Sequence, residues 1–379
     1  MLTYFAQFNR RSTRRAVILS TLAAVGCARR KGSIFPGYAF VANAGGRAVA
    51  AVDLTRFALV RQIGMEAAPA SVLTHPYRAA ALAFVPETGS VCEINAANLR
   101  VARKLRLGSL ALAIRLAPDG KSLWVLQPRA LWRIETERLR PLTSIHLPAD
   151  AQDFDLSRDA HAAIIFKNDR QLALVRLDNG AIEHLVPTGA EPYRVRFQSD
   201  GKQVLVANCS DRMLTIFDAA AARVVVRLPL PVEPENLCFN ADGGQLFVTG
   251  PGMDAVAIVY PYRTEVGETI LAGRAPGAMA VTATPPYLFV TNPESGTITV
   301  LDIDTRKLVA VVSVGQEPRH IAFTPDYQYA LVLSQRSGTM AVVRIAAFRA
   351  RRHRNDPPPL FTMIPVGEQP VSAAVVSVP

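Results

Sequence analysis

Residues 288–325 read LFVTNPESGTITVLDIDTRKLVAVVSVGQEPRHIAFTP, and this stretch holds every element of a repeating unit. An apolar run ending at Asn292 is followed by two further strand-like segments, 297–302 and 308–314. The turn from Gly315 to Pro318 then leads into the next apolar run. Glycine permits a positive φ and proline cannot continue a hydrogen-bond ladder, so this turn separates one sheet from the next.

The apolar run recurs along the whole chain at intervals of 40 to 44 residues. Its equivalent positions are Val41, Val85, Val125, Ile165, Val206, Val248, Val290 and Val332. A period near 42 with several short strands in each repeat is typical of a β-propeller. The turn between repeats recurs as Gly189 to Pro192, Gly273 to Pro276, Gly315 to Pro318 and Gly367 to Pro370.

The two ends of the chain predict how the ring closes. The first repeat starts on a second strand near Phe40, and the last segment, 367–376, has the pattern of an innermost strand. We expect this last strand to complete the first blade, which removes the exposed edges of an open ring. The sequence therefore predicts an all-β, eight-bladed propeller of four-stranded antiparallel blades over residues 34–379, with seven blades as the alternative. Residues 96–114 also fit an amphipathic helix, although the register of the repeat favours a strand.

Charge is distributed unevenly in this 379-residue chain, which is 50% hydrophobic and 19% charged, as in globular proteins. The net charge of +11 comes from residues 1–33, which hold seven basic residues and no acid, and from four arginines near residue 350. The rest of the chain is formally neutral. A neutral body argues against a nucleic-acid partner, because such binding needs a patterned set of basic contacts.

Residues 1–33 have the pattern of an export signal, in which basic residues precede a short apolar run, 16–26. The run is too short to span a bilayer as a helix. Residues 13–18 resemble a twin-arginine signal, with Sec export as the alternative. Residues 24–27 resemble a bacterial lipobox with Cys27 as the lipidated residue; an unmodified cysteine is the alternative. We therefore expect an exported bacterial protein, either periplasmic or tethered to the membrane through Cys27.

The segments 288–292, 300–302 and 314–318 resemble the YVTN-type β-propeller repeat, which occurs in YncE-like exported propeller proteins. The resemblance covers residues 38–379 and is strongest from residue 192 onward. It implies the propeller fold and leaves the function open.

Ligands of propellers usually bind at the central funnel, so the candidate residues are those at the start of each innermost strand. Aligned repeats place polar side chains on one side of this funnel: Asp153, Tyr193, Arg194, Glu235, Asn236, Arg319 and His320. The two arginines are expected to pair with an anionic or polar ligand, and His320 to donate or accept a proton. A solvated rim without a ligand is the alternative. Two positions deeper, Arg115, Asp155 and Arg196 are predicted to form a structural ion network between blades.

Three further sets of residues carry weaker signals. Cys92, Cys209 and Cys238 lie in or beside apolar runs and are interpreted as core residues, not as disulfides or metal ligands. No metal site and no cofactor is predicted. An insertion in the last blade carries Arg349, Arg351, Arg352 and Arg354, which are expected to dock on anionic lipid or on a partner, with a solvated loop as the alternative.

The sequence favours a non-catalytic, monomeric, exported propeller that binds an envelope protein, peptide or polymer, because no nucleophile–base arrangement is visible. Its catalytic residues, if it has any, stay unassigned. The alternatives are a lactonase, which rests on the funnel acids and His320, and a propeller that binds haem d1 or a quinone cofactor. Only Trp124 and Trp132 are available for the recurring tryptophans of quinoprotein blades, and no histidine matches a haem ligand motif.

Overall fold

The computed structural model describes residues 35–348 and 357–378, which form a closed ring of eight four-stranded antiparallel sheets. The eight-bladed prediction is confirmed, and the seven-bladed alternative is wrong. No α-helix occurs among the described residues, and none of their helical turns is long or apolar enough to cross a membrane. The helix alternative for 96–114 is also wrong, because the outermost strand of the second blade runs through this segment.

In each blade the four strands are named from the centre of the ring outward. Blades 1 to 4 consist of β32 (Pro370–Ser377), β1 (Gly37–Asn43), β2 (Ala48–Asp53) and β3 (Ala58–Gly64); β4 (Ser71–Thr74), β5 (Ala80–Val85), β6 (Ser90–Asn95) and β7 (Arg100–Arg106); β8 (Ala113–Leu116), β9 (Ser122–Gln127), β10 (Ala130–Glu135) and β11 (Arg140–His146); β12 (Asp153–Leu156), β13 (His161–Phe166), β14 (Gln171–Arg176) and β15 (Ile182–Pro187).

Blades 5 to 8 continue the same pattern along the chain. They consist of β16 (Pro192–Phe197), β17 (Gln203–Asn208), β18 (Met213–Asp218) and β19 (Arg223–Pro229); β20 (Asn236–Phe239), β21 (Leu246–Thr249), β22 (Ala255–Tyr260) and β23 (Glu265–Leu271); β24 (Met279–Val281), β25 (Tyr287–Asn292), β26 (Thr297–Asp302) and β27 (Leu308–Ser313); β28 (Pro318–Phe323), β29 (Tyr329–Ser334), β30 (Thr339–Arg344) and β31 (Leu360–Pro365). Short 3-10 turns lie at Pro86–Thr88, Pro261–Arg263 and Ile345–Phe348.

Both ends of the ring meet in blade 1. The last strand, β32, pairs antiparallel with β1, so that Phe40 lies opposite Ala374 and Tyr38 opposite Val376. β32 also contacts β28 of blade 8 and β4 of blade 2, so it belongs to the inner wall. Hydrogen bonds between β1 and β32 therefore close the ring, as the sequence predicted.

The core lies between the blades, and this explains the continuous apolar runs of the second strands. Successive residues of a strand point to opposite faces of its sheet, and both faces are covered by a neighbouring blade. In β1, Phe40 packs in a cluster with residues of blade 2, whereas Val41 packs in a cluster with residues of blade 8. Eight such clusters occupy the eight interfaces of the ring.

The asparagine that ends a second strand holds the turn leading into its own blade. Asn292 Oδ1 accepts a hydrogen bond from Gly273 N at 2.9 Å, and Asn208 Oδ1 accepts one from Gly189 N at 3.1 Å. A Cβ on Gly273 would lie 2.4 Å from Cγ of Asn292, so only glycine fits against this side chain. The residue before the proline of these turns adopts a positive φ, as at Glu317 with φ 58°. The motif thus fixes the connection between blades.

Candidate functional site

One face of the ring carries a cavity of about 870 Å³ that spans blades 5 to 8. This face carries the turns that enter the first strands and the turns that join second to third strands. Its lining consists of Tyr193, Glu235, Asn236, Gly250, Pro251, Gly252, Met253, Asp254, Ala275, Pro276, Gly277, Ala278, Pro293, Glu294 and Arg319. The volume is within the range of small-molecule sites.

Four of the predicted funnel residues line this cavity together. Tyr193 and Arg319 are second residues of the innermost strands β16 and β28, and Asn236 is the first residue of β20, directly after Glu235. The repeat places these positions at the same height around the ring, which is why the alignment found them. The other three predicted funnel residues, Asp153, Arg194 and His320, are not part of the lining.

Polar side chains in the cavity are free to bind a ligand. The carboxylates of Glu235 and Glu294 and the amide of Asn236 make no hydrogen bond or ion pair with any other described residue. Asp254 is different, because its Oδ1 accepts a hydrogen bond from Ala275 N at 2.9 Å. The cavity therefore offers two free, negatively charged hydrogen-bond acceptors and one free amide.

The positive charges expected to hold an anion are already engaged. Arg319 donates to Oε1 of Glu317 from Nη2 at 2.6 Å and from Nε at 2.9 Å. Arg194 lies over the ring of Tyr193, with its Cζ 4.7 Å from the ring centroid. With three lining carboxylates and one paired arginine, the cavity is acidic. This charge balance opposes the predicted pairing of Arg194 and Arg319 with an anionic ligand.

Asp153 lies in the interior and not at the funnel rim where we predicted it. It is 2% exposed, and its carboxylate accepts hydrogen bonds from Nη2 of Arg115 at 3.2 Å and from Nη1 of Arg196 at 3.1 Å. Asp155 lies 3.6 Å from Nε of Arg115 and accepts a hydrogen bond from Phe197 N at 2.9 Å. Burial raises the pKa of Asp155. The sequence placed Asp155 between the two arginines, but Asp153 bridges them at shorter distances.

His320 lies in the wall between β28 and β32. Its Nε2 is buried and has no hydrogen-bond partner among the described residues, and the ring is hydrogen-bonded to the backbone of Ala373. Burial lowers the pKa of His320 to about 4. Its imidazole is therefore neutral near pH 7, and it does not open onto the cavity where a proton-transfer role was predicted.

Part of the site comes from the turns between second and third strands, which the aligned repeats do not predict. Met253 and Asp254 follow β21, and Glu294 follows β25. The alignment compared only the starts of innermost strands, and these turns differ from blade to blade. The Gly-Pro-Gly sequence at 250–252, which interrupts the repeat, was the available signal. Across the described ranges, no three histidine, cysteine or acidic side chains are grouped to hold a metal ion.

Of the other predicted residues, the structure describes three cysteines, whereas Cys27 and four arginines lie outside the described ranges. Cys92, Cys209 and Cys238 are unpaired, and burial raises the pKa of the Cys209 thiol to about 11 and that of Cys238 to about 12. Such thiols are poor nucleophiles at neutral pH. Cys27 and the arginines at 349, 351, 352 and 354 lie outside the described residues, so their predicted roles stay predictions.

One family model matches part of the sequence. A family model described as "Lactonase, 7-bladed beta-propeller" matches residues 253–350, which run from blade 6 into blade 8. The matched segment includes most of the cavity lining, from Met253 to Arg319. The comparison with curated proteins found no match.

Solved structures with the same fold include two enzymes. Dihydro-heme d1 dehydrogenase NirN in complex with DHE aligns with a TM-score of 0.74 at 15% identity, over 89% of this chain and 75% of that one. Hydrazine synthase of Kuenenia stuttgartiensis aligns at 0.56 and 14% identity, over 70% of this chain and 94% of that one. A functionally unknown protein from Desulfotomaculum acetoxidans aligns at 0.58 and 12% identity, over 90% and 100%. At these identities the likeness concerns the fold alone: this chain is an eight-bladed β-propeller.

Proposed function

We propose that the protein hydrolyses a neutral, hydroxylated lactone in the cavity of blades 5 to 8. The observation that carries this proposal is the pair of free carboxylates, Glu235 and Glu294, beside hydrogen-bond donors in a cavity of small-molecule size. The family match over residues 253–350 supports the reaction class. The proposal replaces our sequence-based preference for a non-catalytic binder, because the comparisons favour the lactonase and cofactor alternatives.

The charge of the cavity supports a neutral substrate and an anionic product. Carboxylates and amides bind the hydroxyl groups of a neutral ring by accepting and donating hydrogen bonds. Hydrolysis opens the ring to a hydroxy acid, whose carboxylate is repelled by Glu235, Asp254 and Glu294. The acidic lining therefore favours binding of the lactone and release of its product.

Glu235 is the residue to which we assign the general base. It takes a proton from a water molecule as the water oxygen attacks the carbonyl carbon. Asn236, Tyr193 and the Nη1 group of Arg319, which does not bind Glu317, are the available donors to the negative charge that develops on the carbonyl oxygen. The ring carbon–oxygen bond then breaks, and the proton held by Glu235 passes to the leaving alkoxide, so the carboxylate is regenerated.

A tetrapyrrole cofactor does not fit this lining. Haem-type rings carry carboxylates and bind iron through a histidine, thiolate or similar ligand. The described lining contains Tyr193 and Met253 as side chains of a ligating type, but its three carboxylates repel those of the ring and its one arginine is already neutralised by Glu317. The fold is thus shared with NirN, but the lining of this cavity does not suit the same kind of group.

Rates of lactone opening test the proposal. A panel of sugar lactones and unsubstituted lactones is titrated at constant pH with wild type, Glu235→Gln and Glu265→Gln. The last variant is a matched control, because Glu265 lies on the outermost strand of the same blade. We expect Glu235→Gln to lower kcat at least about 100-fold, as for loss of a general base, and Glu265→Gln to leave it unchanged. No turnover by wild type, or equal rates for both variants, contradicts the proposal.

Ligand binding without turnover would instead support the binding interpretation of the sequence.

We further propose that the repeats are of YVTN type. Support comes from Asn208 and Asn292, which end second strands and hold the preceding turns through their side chains.

A further inference from the structure

A second cavity, of about 820 Å³, lies between blades 4 and 5 on the face opposite the cavity of blades 5 to 8. Its apolar surface comes from Leu174 and Phe197, which are buried, and from Ala219. Asp159, His184 and Lys202 surround its mouth. The lining also includes eight polar or charged residues, and apolar surface beside convergent polar groups at this volume is typical of a ligand site. We call this feature the blade 4/5 groove.

Side chains fill the equivalent space between two other pairs of neighbouring blades. Between blades 2 and 3, Tyr77 reaches across and donates a hydrogen bond to Asp119 O at 2.8 Å. Between blades 6 and 7, Arg306 Nη2 donates to the hydroxyl of Tyr260 at 2.8 Å. The facing turn of blade 5 consists of four alanines, 219–222, which have no side chain long enough to reach blade 4. The blade 4/5 groove is therefore open because of its sequence.

Two of the acidic groups in the groove are already held. Arg176 Nη2 lies 2.6 Å from Glu183, and His161 Nε2 lies 3.4 Å from the same carboxylate. Asp218 accepts hydrogen bonds from Ala220 N at 3.0 Å and Ala221 N at 2.9 Å. These contacts remove Glu183 and Asp218 as partners for a ligand.

The side chains of Asp159, His184 and Lys202 make no hydrogen bond or ion pair with other residues that the structure describes. Asp159 lies beside the turn that carries Lys202, because its Oδ2 would be 3.3 Å from a Cβ on Gly201. A free negative group of blade 4 and a free positive group of blade 5 thus lie on facing turns at the edge of an apolar surface. A ligand that matches them has opposite charges and an apolar body.

We propose that the blade 4/5 groove binds a short apolar peptide with both ends free. Lys202, together with His184, binds the carboxylate end, and Asp159 binds the ammonium end. The apolar side chains of the peptide pack on Leu174, Phe197 and Ala219. This site is independent of the cavity of blades 5 to 8 and of lactone hydrolysis.

Calorimetric titration with leucyl-leucine tests the proposed ligand class. Three related probes separate its components: the N-acetylated dipeptide, the C-terminally amidated dipeptide and glycyl-glycine. We expect leucyl-leucine to bind, and each probe to bind at least about tenfold more weakly, since each lacks one charge or the apolar side chains. Absence of leucyl-leucine binding overturns the proposal, as does equal binding of the acetylated or amidated form.

Variants then locate the binding. Ala220→Leu fills the groove from an exposed turn and is expected to abolish binding, and Lys202→Met is expected to weaken it about tenfold. Lys121→Met is the matched control, because Lys121 occupies the same Asp-Gly-Lys turn in blade 3, where Tyr77 closes the space. Circular dichroism verifies that each variant is folded. Unchanged binding by folded Ala220→Leu, or equal losses for both lysine variants, overturns the proposal.

Discussion

Asn292 connects three parts of blade 7 through a side chain that solvent does not reach. Its Oδ1 accepts the hydrogen bond from Gly273 N, and its Nδ2 donates to Thr297 Oγ1 at 3.1 Å and to Thr299 Oγ1 at 2.9 Å. A buried donor or acceptor left without its partner destabilises a fold by more than the hydrogen bond contributes. The asparagine of this motif therefore stabilises the fold and is not a ligand-binding residue.

Replacing Asn292 with alanine is predicted to lower the free energy of unfolding by about 3 kcal/mol, because Gly273 N and two hydroxyl groups lose a buried partner. Denaturant titration measures the change. Lys167→Ala is the control, since Lys167 occupies the equivalent position in blade 4 and makes an exposed ion pair with Glu191. An exposed pair contributes under about 1 kcal/mol. Equal effects of both substitutions would show that the asparagine has no special role.

His320 predicts a dependence of stability on pH. Its pKa is about 4 in the folded chain and 6.5 when unperturbed, because burial disfavours the imidazolium. Between these values the unfolded chain binds the proton and the folded chain does not. Stability is thus full above pH 6.5 and is lost as the pH falls toward 4, by on the order of 3 kcal/mol.

The measurement compares the free energy of unfolding at pH 7 and pH 4.5 for wild type, His320→Phe and the control His146→Gln. His146 is exposed at the end of β11. We expect His320→Phe to lose less stability on acidification than wild type, whereas His146→Gln behaves like wild type. Parallel pH profiles for all three proteins would disprove the assignment to His320.

At the scale of elements, β32 is the strand on which the closed ring depends. It supplies the first strand of blade 1 and lies between β28 and β4 on the inner wall. Two interblade clusters, those of blade 1 with blades 2 and 8, contain its side chains Ala373, Ala374, Val375 and Val376. Loss of this strand would leave the edge of β1 open and expose both clusters.

Deletion of residues 370–379 is therefore predicted to lower the melting temperature by more than 10 °C, since it exposes several buried side chains, each contributing about 1.5–3 kcal/mol. Differential scanning calorimetry measures this change, with deletion of Pro379 alone as the control. A synthetic peptide of residues 370–378 is expected to restore part of the loss. A truncated chain that melts like wild type would contradict closure by β32.

Elements also show why the fold was easier to predict than the site. The second strands are apolar on both faces because both faces are buried, and this local pattern is visible in the sequence at every repeat. Asp153 was misplaced because its two arginine partners belong to other blades, at Arg115 and Arg196, and no local pattern reports them. Glu294 and Asp254 were missed because the turns that carry them do not follow the repeat.

At the scale of the whole molecule, the positive net charge of the chain does not describe its candidate site. The cavity on blades 5 to 8 is acidic, whereas the positive charge of the sequence is concentrated in two segments, 1–33 and 349–354. Charge therefore separates two roles in our interpretation. We propose that the basic N-terminal segment directs export and that the acidic cavity selects the ligand.

Export is predicted to remove the N-terminal segment. Intact-mass spectrometry of the protein recovered from a bacterial envelope is expected to show a chain beginning at Cys27 with a lipid mass added. Cys27→Ser is expected to lack this mass and to leave the membrane fraction, because one lipid-bearing residue is its proposed tether. A full-length cytoplasmic protein would contradict the export signal, and an unlipidated mature chain would contradict the lipobox assignment alone.

A crystal structure with a bound ligand tests whether a neutral lactone binds among the free polar groups of blades 5 to 8. The ligand would be a hydrolysis-resistant lactam analogue of the best substrate. We predict density in the cavity with the lactam carbonyl within hydrogen-bond distance of Asn236, Tyr193 or Arg319 and with Glu235 beside the carbonyl carbon. Density confined to another part of the ring, or a cavity without density at saturating ligand, would contradict the claim.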